Sequence, residues 1–133
     1  MAKEALAVRC SEDAVKAILP AFPRRLMGTQ ECFVVMPLDS QNRPVGRPQL
    51  VAMGTANSVG VHPRDVFRVA VKNNAVSLIV AHNHPSGDLT PSADDRHLTR
   101  RLVEAGKLLD IPVLDHLVVT KETHVSLADQ GLL

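Results

Sequence analysis

The chain has 133 residues, which is the length of one ordinary domain that can bury its own hydrophobic core. A net charge of +1 and an aromatic content of 2% argue against a strongly basic nucleic-acid surface and against base stacking on aromatic side chains. No apolar run approaches the ~20 residues of a membrane-spanning helix and the N-terminus has no signal-like segment, so we expect a cytoplasmic protein without a membrane partner.

Hydrophobic periodicity predicts both helices and strands in the first half of the chain. A helix begins near Ser11, carries apolar residues at helical spacing, and ends before Pro20. The short apolar run at 32–38, which includes two adjacent valines, is typical of a buried strand, and residues 50–53 are predicted to form a returning strand. A second helix is predicted over residues 64–74.

The second half of the chain continues this alternation. Residues 76–81 (VSLIVA) are the strongest strand prediction, and this strand leads directly to His82. Ser92 opens a long helix, and two strands over 113–120 and 124–127 close the chain. The predicted apolar stripe of the long helix consists of Leu98, Leu102, Ala105 and Leu109. Strands interleaved with helices predict an α/β fold in which helices pack on the faces of a sheet.

The most informative segment is HNHPSGDLTPSADD, residues 82–95. His82 and His84 stand at i and i+2 at the end of a strand, so their side chains point to the same face and can converge on one ion. Asp95, in the first turn of the next helix, adds a carboxylate. Three such ligands leave a fourth tetrahedral position for water, which is typical of a catalytic zinc and not of a structural one.

Two further residues are candidates for the chemistry at such a metal. Glu31 precedes the 32–38 strand and could move protons to and from the activated water if that strand lies beside the one ending at His82. Ser92 could donate a hydrogen bond to an oxyanion. Structural interpretations stay open: Ser92-x-x-Asp95 also resembles a helix capping box, and Glu31 also fits a solvated strand end.

Other polar residues and the cysteines are interpreted as structural. Asn83 alternates to the sheet face opposite the two histidines, where we expect it to support the loop. Asp115 and His116 lie within a predicted strand and are expected to be a satisfied polar pair inside the fold, with a supporting role behind the metal ligands or a role in a dimer as the alternative. Cys10 and Cys32 form neither a C-x-x-C site nor a disulfide framework and are predicted to be small buried residues of a reducing compartment.

The order Glu, then His-x-His, seven residues, Ser, two residues and Asp resembles the signature of the JAMM (MPN-domain) metalloproteases. The chain is more similar still to the bacterial RadC-like branch of that superfamily. The similar segments are VHPRDVF (61–67), HNHPSG (82–87), PSADD (91–95) and LDHLVV (114–119). The resemblance covers residues 31–133, and residues 1–30 are predicted to supply an N-terminal helix and connector to one domain spanning 1–133.

The resemblance implies a JAMM fold: a single, three-layer-like α/β domain with a mixed sheet and helices on its faces, similar to cytidine deaminases. It implies one Zn²⁺ per chain held by His82, His84 and Asp95, with Glu31 as general base and Ser92 as oxyanion donor. It further implies cleavage of a peptide or isopeptide bond in a peptide or protein substrate. Longer RadC proteins carry an N-terminal helix-hairpin-helix segment, which we do not expect here because only about thirty residues precede Glu31.

Two other functions are retained as alternatives. A metal-dependent nuclease or DNA-repair-associated factor would use the same histidine and aspartate ligands, although the near-neutral charge does not favour a nucleic-acid partner. A non-catalytic MPN interaction scaffold is the third interpretation, and it suits members that lack the ligands which this chain retains. The sequence leaves open whether the chain forms a homodimer.

Overall fold

A five-stranded mixed sheet forms the middle layer of the structure, a computed structural model in which residues 6–54 and 60–133 are described. Its strands are β1 (Glu31–Leu38), β2 (Gln49–Gly54), β3 (Ser77–Asn83), β4 (Val113–Val119) and β5 (His124–Ser126). In the order β2-β1-β3-β4-β5, β1 is antiparallel to both neighbours, β3 is parallel to β4, and β4 is antiparallel to β5. A parallel pair needs a long crossover, and the helix α3 (Ala93–Leu109) supplies it between β3 and β4.

Helices cover both faces of this sheet. The helix α1 (Ser11–Ile18) packs on one side, which we name the α1 face. The helix α2 (Pro63–Lys72) packs together with α3 on the other side, the α2/α3 face. Three layers result, so the fold class expected from the sequence, a three-layer-like α/β domain with a mixed sheet, is confirmed.

The strand β1 shows why this sequence forms a central strand. Its residues from Cys32 to Leu38 are all buried, because helices cover the sheet on both sides. Cys32 and Val34 contribute to the core on the α1 face, whereas Phe33 and Val35 contribute to the core on the α2/α3 face. A continuous apolar run, without polar alternation, is what two buried faces require.

The predicted helices and strands are confirmed, although several of their ends are shifted. The most consequential shift concerns β3, which continues past the predicted end through His82 and Asn83. Both residues still pair with the parallel strand β4, opposite Val118 and Val119. The last two residues of β3 are therefore held by the sheet and do not belong to the loop that follows.

The apolar stripe predicted for α3 is wrong at its C-terminal end. Leu109 is 48% exposed, and the helix instead buries Thr99, Leu102 and Gly106. Gly106 allows the backbone after the helix to approach, since an added Cβ would lie 2.6 Å from the carbonyl oxygen of Ile111. Small and polar residues therefore share the buried side of α3 with leucine, which simple hydrophobic periodicity misses.

The prediction for the cysteines is half correct. Cys32 is buried in the core on the α1 face, but Cys10 is exposed, because it is the residue that precedes the first turn of α1. Both thiols are free.

No helix in the described ranges is both long and apolar enough to cross a bilayer. The predicted single domain spans 1–133, and two parts of that span, residues 1–5 and 55–59, lie outside the described residues.

Candidate metal centre

Three separate segments bring the predicted site residues together on the α2/α3 face. The end of β3 and the residues after it supply His82 and His84, the first turn of α3 supplies Asp95, and the first residue of β1 supplies Glu31. Phe33 of β1 pairs directly with His82 of β3, so Glu31, two residues earlier, lies on the same face at the same end of the sheet. The condition that the sequence set for Glu31, that β1 lies beside β3, is met.

The ligand atoms of these four residues lie within 4.8 Å of one another. The Nε2 atoms of His82 and His84 are 2.9 Å apart. The carboxylate of Asp95 places Oδ1 at 3.2 Å from His82 Nε2 and Oδ2 at 3.0 Å from His84 Nε2. Glu31 is more distant, with Oε1 at 3.8 Å from His82 Nε2. This cluster of two imidazoles and two carboxylates could hold a metal ion.

The ring nitrogen of His84 that points away from the cluster, Nδ1, forms a hydrogen bond that determines the tautomer of the neutral ring. Nδ1 of His84 lies 2.6 Å from the backbone carbonyl oxygen of Asp88, which can only accept a hydrogen bond. Nδ1 therefore carries the proton, and in the neutral ring the lone pair of Nε2 faces the cluster. Since both oxygens of the Asp95 carboxylate are acceptors as well, these atoms are satisfied together only when a proton or a metal ion lies between them.

The spacing of the acceptors also suits a small divalent ion. Ligand atoms at the corners of a tetrahedron around Zn²⁺, with bonds of about 2.0–2.1 Å, are separated from one another by about 3.3 Å. The distances of 2.9–3.2 Å among the atoms of His82, His84 and Asp95 are close to that value. Imidazole nitrogen with carboxylate oxygen is a donor set found in zinc sites.

The electrostatics of the cluster follow from the same contacts. Burial alone would raise the pKa of Asp95, but the contacts with the imidazole rings of His82 and His84 hold it well below its usual range. The hydrogen bond to Asp95 raises the pKa of His84, although burial acts against it. For Glu31, burial is the largest influence and raises its pKa. The site thus attracts positive charge to the space between His84 and Asp95.

Asp95 forms the helix cap that the sequence offered as one of its two interpretations, and its carboxylate also lies in the cluster. The backbone N–H of Ser92 donates to Oδ2 of Asp95 at 2.8 Å, and the backbone N–H of Asp95 donates to Oγ of Ser92 at 3.0 Å. This is a capping box at the start of α3, formed with Asp where Glu or Gln is usual. The cap fixes the carboxylate in place while its other lone pairs face the histidines.

A cleft of about 550 Å³ opens over the cluster. Phe33 and Val61 contribute apolar surface to its lining, while Ser92 and Arg101 contribute polar groups. A larger cavity, of about 690 Å³, is lined by residues of the α1 segment such as Lys16 and by Lys121. No carboxylate or imidazole is among its lining residues, so the smaller cleft is the candidate site in the described part of the chain.

Asn83 is placed as the sequence predicted, facing away from the histidines. It is fully buried, and its Oδ1 accepts a hydrogen bond of 2.6 Å from the backbone N–H of Cys32. Its Nδ2 donates to the carbonyl oxygens of Met27 and Gln30, both at 2.9 Å. Asn83 therefore anchors the segment that leads into β1, and so helps to place Glu31 at the cluster.

His116 lies behind the cluster, in the supporting position that the sequence offered only as the alternative to a structural pair. Asp115 and His116 were expected to form one satisfied polar pair, but their side chains point to opposite faces of β4. The side chain of Asp115 accepts hydrogen bonds from Ser126 and from two backbone N–H groups, as a structural residue does. His116 is instead fully buried beside His82, with its Nε2 at 2.7 Å from His82 Nδ1. Burial lowers the pKa of His116 well below its usual range.

Thr99, which the sequence analysis did not single out, lies on the other side of His116. Its Oγ1 is 2.6 Å from His116 Nδ1 and 2.7 Å from the carbonyl oxygen of Asp95. Alternation along β4 places His116 on the same sheet face as His82, but this can be inferred only if β4 is known to pair with β3. That pairing joins segments separated by the whole of α3, and no local spacing reveals it.

Comparison with known proteins agrees with this geometry. A family model described as a RadC-like JAB domain matches residues 8–132. A UPF0758 protein of Listeria monocytogenes serotype 4b is 42% identical over 129 residues, which are 97% of this chain and 56% of that protein. A UPF0758 protein of Pseudoalteromonas translucida is 45% identical over 130 residues, which are 94% of this chain and 58% of that protein.

The chain spans about half the length of the curated relatives it matches. A UPF0758 protein of Geobacillus kaustophilus, 41% identical over 124 residues, is likewise covered over 53% of its length. The family match nevertheless extends over almost the whole of this chain, and includes each residue of the cluster that could hold a metal ion. The chain belongs to the family of RadC-like JAB domains.

Proposed function

We propose that this domain is a JAMM-type metallohydrolase that uses one Zn²⁺ to cleave a peptide or isopeptide bond. The observation that carries the proposal is the convergence of four ligand atoms, from Glu31, His82, His84 and Asp95, within 4.8 Å of one another. A satisfied structural cluster would contain donors between its acceptors. Here at least the His84 nitrogen and the Asp95 oxygens present lone pairs to one space.

The distances divide the four residues into two roles. His82, His84 and Asp95 lie 2.9–3.2 Å from one another and are assigned as the ligands. Glu31 lies 3.8 Å from the nearest histidine nitrogen and is assigned to proton transfer. Zn²⁺ in such a site would act as a Lewis acid, which polarises a carbonyl group and lowers the pKa of water towards ~7.

The chain's own residues supply the remaining chemistry. Glu31, at the edge of the cluster and in the lining of the cleft, accepts a proton from the attacking water and returns it to the leaving amine. Ser92 uses its oxygen to accept the hydrogen bond of the Asp95 backbone N–H, which leaves its O–H free to donate to an oxyanion. The capping box holds Ser92 and Asp95 together, so the oxyanion donor and a ligand move as one unit.

Hydrolysis of a quenched fluorescent peptide library, together with isopeptide-linked substrates, tests this proposal. We expect Zn²⁺-dependent cleavage by the wild type. Glu31→Gln is expected to bind one Zn²⁺ per chain and to lose about 10²–10⁴-fold in rate, the usual contribution of a positioned acid–base group. Glu104→Gln, an exposed site on α3, is the matched control and is expected to keep full activity.

Two results would contradict the proposal. Undiminished hydrolysis by Glu31→Gln would remove Glu31 from the reaction. Zn²⁺-dependent cleavage of DNA in place of peptides would favour the nuclease alternative, and a steep loss of DNA binding with rising salt would accompany it.

A further inference from the structure

A chain of hydrogen bonds leads from the backbone of Asp95 to the ring of His82. It begins at the carbonyl oxygen of Asp95, which can only accept. The hydroxyl of Thr99, one turn later on α3, lies 2.7 Å from that oxygen. Because Thr99 has a single hydroxyl proton, this contact uses it, and its Oγ1 is left to act as an acceptor towards its other neighbour.

That other neighbour is His116, whose Nδ1 lies 2.6 Å from Oγ1 of Thr99. Since Oγ1 has no further proton to give, Nδ1 of His116 must be the donor. The ring of His116 has no exposed surface and forms no hydrogen bond with a carboxylate of the described residues, so a second proton would leave a buried charge without a hydrogen-bonded counterion. Its Nε2 therefore carries a lone pair.

The same reasoning reaches His82. Nε2 of His116 lies 2.7 Å from Nδ1 of His82, and because Nε2 accepts, Nδ1 of His82 must donate. The lone pair of the neutral His82 ring is then on Nε2, the atom that faces His84 and Asp95 at 2.9 and 3.2 Å. The direction of every hydrogen bond in this series follows from one backbone carbonyl together with the burial of the His116 ring.

We propose that Thr99 and His116 are positioning residues that hold His82 as the Nδ1–H tautomer and so present its Nε2 lone pair to the bound cation. This inference rests on the proposed function for the identity of the cation, but not for the tautomer. This series of hydrogen bonds, from Asp95 through Thr99 and His116 to His82, is named the relay. It links two of the proposed ligands, because it starts at the backbone of Asp95 and ends at the ring of His82.

Packing holds the relay in its geometry. The ring of Phe33 stacks with the ring of His82, with centroids 6.2 Å apart, and meets the edge of His116 at 5.7 Å. His84 reaches the same tautomer through a single contact, from its Nδ1 to the carbonyl oxygen of Asp88. The two ligand histidines are therefore oriented alike, one by a backbone carbonyl directly and the other through two side chains.

Thr99→Val and Thr99→Ser form a matched pair that tests this inference. Valine keeps the shape of the side chain and removes the hydroxyl, whereas serine keeps the hydroxyl. Two quantities are measured in the full chain: the tautomer of His82 in the metal-free protein, by ¹⁵N NMR at a pH where the rings are neutral, and the affinity for Zn²⁺, by competition with a chelator.

We expect the wild type and Thr99→Ser to show the Nδ1–H tautomer of His82 and similar Zn²⁺ affinity. Thr99→Val is expected to populate the Nε2–H tautomer and to bind Zn²⁺ about 10–100-fold more weakly, the usual cost of losing such a supporting contact. Loss of packing alone would not change the tautomer. Circular dichroism and thermal unfolding verify that the variants fold.

Three outcomes overturn the inference. An Nε2–H tautomer of His82 in the wild type does so without any variant, and therefore applies even if Thr99→Val fails to fold. An unchanged His82 tautomer in folded Thr99→Val overturns the inference as well. Equal Zn²⁺ affinity in Thr99→Val and Thr99→Ser is the third such outcome. If the wild type shows the expected tautomer but binds no Zn²⁺, the proposed function fails while the tautomer assignment stands.

Discussion

Asp115 and Asp95 are two largely buried carboxylates on opposite faces of the sheet, and their surroundings differ in kind. On the α1 face, Asp115 accepts hydrogen bonds from the hydroxyl of Ser126 at 2.6 Å and from the backbone N–H groups of His116 and Ala128 at 2.7 and 3.0 Å. On the α2/α3 face, Asp95 faces the Nε2 atoms of two histidines. The first carboxylate is surrounded by donors and the second largely by acceptors.

This difference separates a structural polar cluster from one that could hold a metal ion. A buried carboxylate that finds its donors within the chain is satisfied by folding alone. A carboxylate placed against imidazole lone pairs is satisfied only when a proton or a metal ion enters. The pKa values follow the same division: burial dominates at Asp115 and raises its pKa, whereas the imidazole contacts outweigh burial at Asp95 and lower it. The predictions below test this division.

The largest effect is expected from Asp95→Asn. Replacing this carboxylate removes a ligand, and Zn²⁺ affinity should fall by more than about 100-fold, since loss of a residue that only supports a ligand already costs 10–100-fold. Chelator competition measures the change. Asp94→Asn removes the same charge from the neighbouring, exposed residue and should leave the affinity close to that of the wild type. Equal losses in the two variants would mean that charge alone, and not ligation, attracts the ion.

Asp115→Asn is expected to show the opposite profile. The amide keeps one acceptor oxygen but turns an NH₂ group towards donors, so the folded state should lose about 2–3 kcal/mol of stability. Zn²⁺ affinity should not change, because Asp115 faces away from the site. Urea unfolding and chelator competition on the same sample measure both quantities. A large loss of affinity without a loss of stability would place Asp115 in the site.

A smaller effect is expected from Ser126→Ala. The variant removes one of the three donors to Asp115 and should cost about 1 kcal/mol, the typical net value of one hydrogen bond. Ser77→Ala is the matched control, because the buried hydroxyl of Ser77 has no hydrogen-bond partner in the described structure. Its removal should be neutral or stabilising in urea unfolding. A greater cost for Ser77→Ala than for Ser126→Ala would contradict the donor-based account of Asp115.

The smallest effect is a pH dependence of the metal-free protein. The pKa of His84 is raised above its unfolded value of about 6.5 by the hydrogen bond to Asp95. A raised histidine pKa gives stability that is complete below the unfolded value and is lost as the pH rises through the folded value. The melting temperature should therefore fall as the pH rises from 6 through that range.

Zn²⁺ affinity should change in the opposite direction over the same range, because the ion and the proton compete for Nε2 of His84. Thermal scans with and without Zn²⁺ measure both trends. A metal-free melting temperature that increases through this range would show that the contact between His84 and Asp95 is not the controlling one.

Local spacing was enough to predict part of the site. His82 and His84 follow from alternation at a strand end, and Asp95 follows from its place in the first turn of a helix. Glu31 needed one long-range fact, the pairing of β1 with β3, which the family resemblance supplied indirectly. The strands themselves were predicted because short apolar runs that contain β-branched residues favour buried strands.

The sequence ranked a supporting role for His116 second and did not single out Thr99, and both results have a physical reason. His116 enters the site through the parallel pairing of β3 with β4, and Thr99 enters because a polar residue occupies the buried side of α3. Hydrophobic periodicity assigns that side to apolar residues, so it included the exposed Leu109 and omitted Thr99. Buried polar residues that serve a site are those that such patterns miss.

Anomalous diffraction at the zinc edge, from crystals of the full chain with Zn²⁺, tests the central claim most directly. The account predicts one peak per chain, bonded at about 2.0–2.2 Å to Nε2 of His82, Nε2 of His84 and the carboxylate of Asp95. The same three side chains in the same arrangement, with no peak among them or with the ion bound elsewhere, would contradict it.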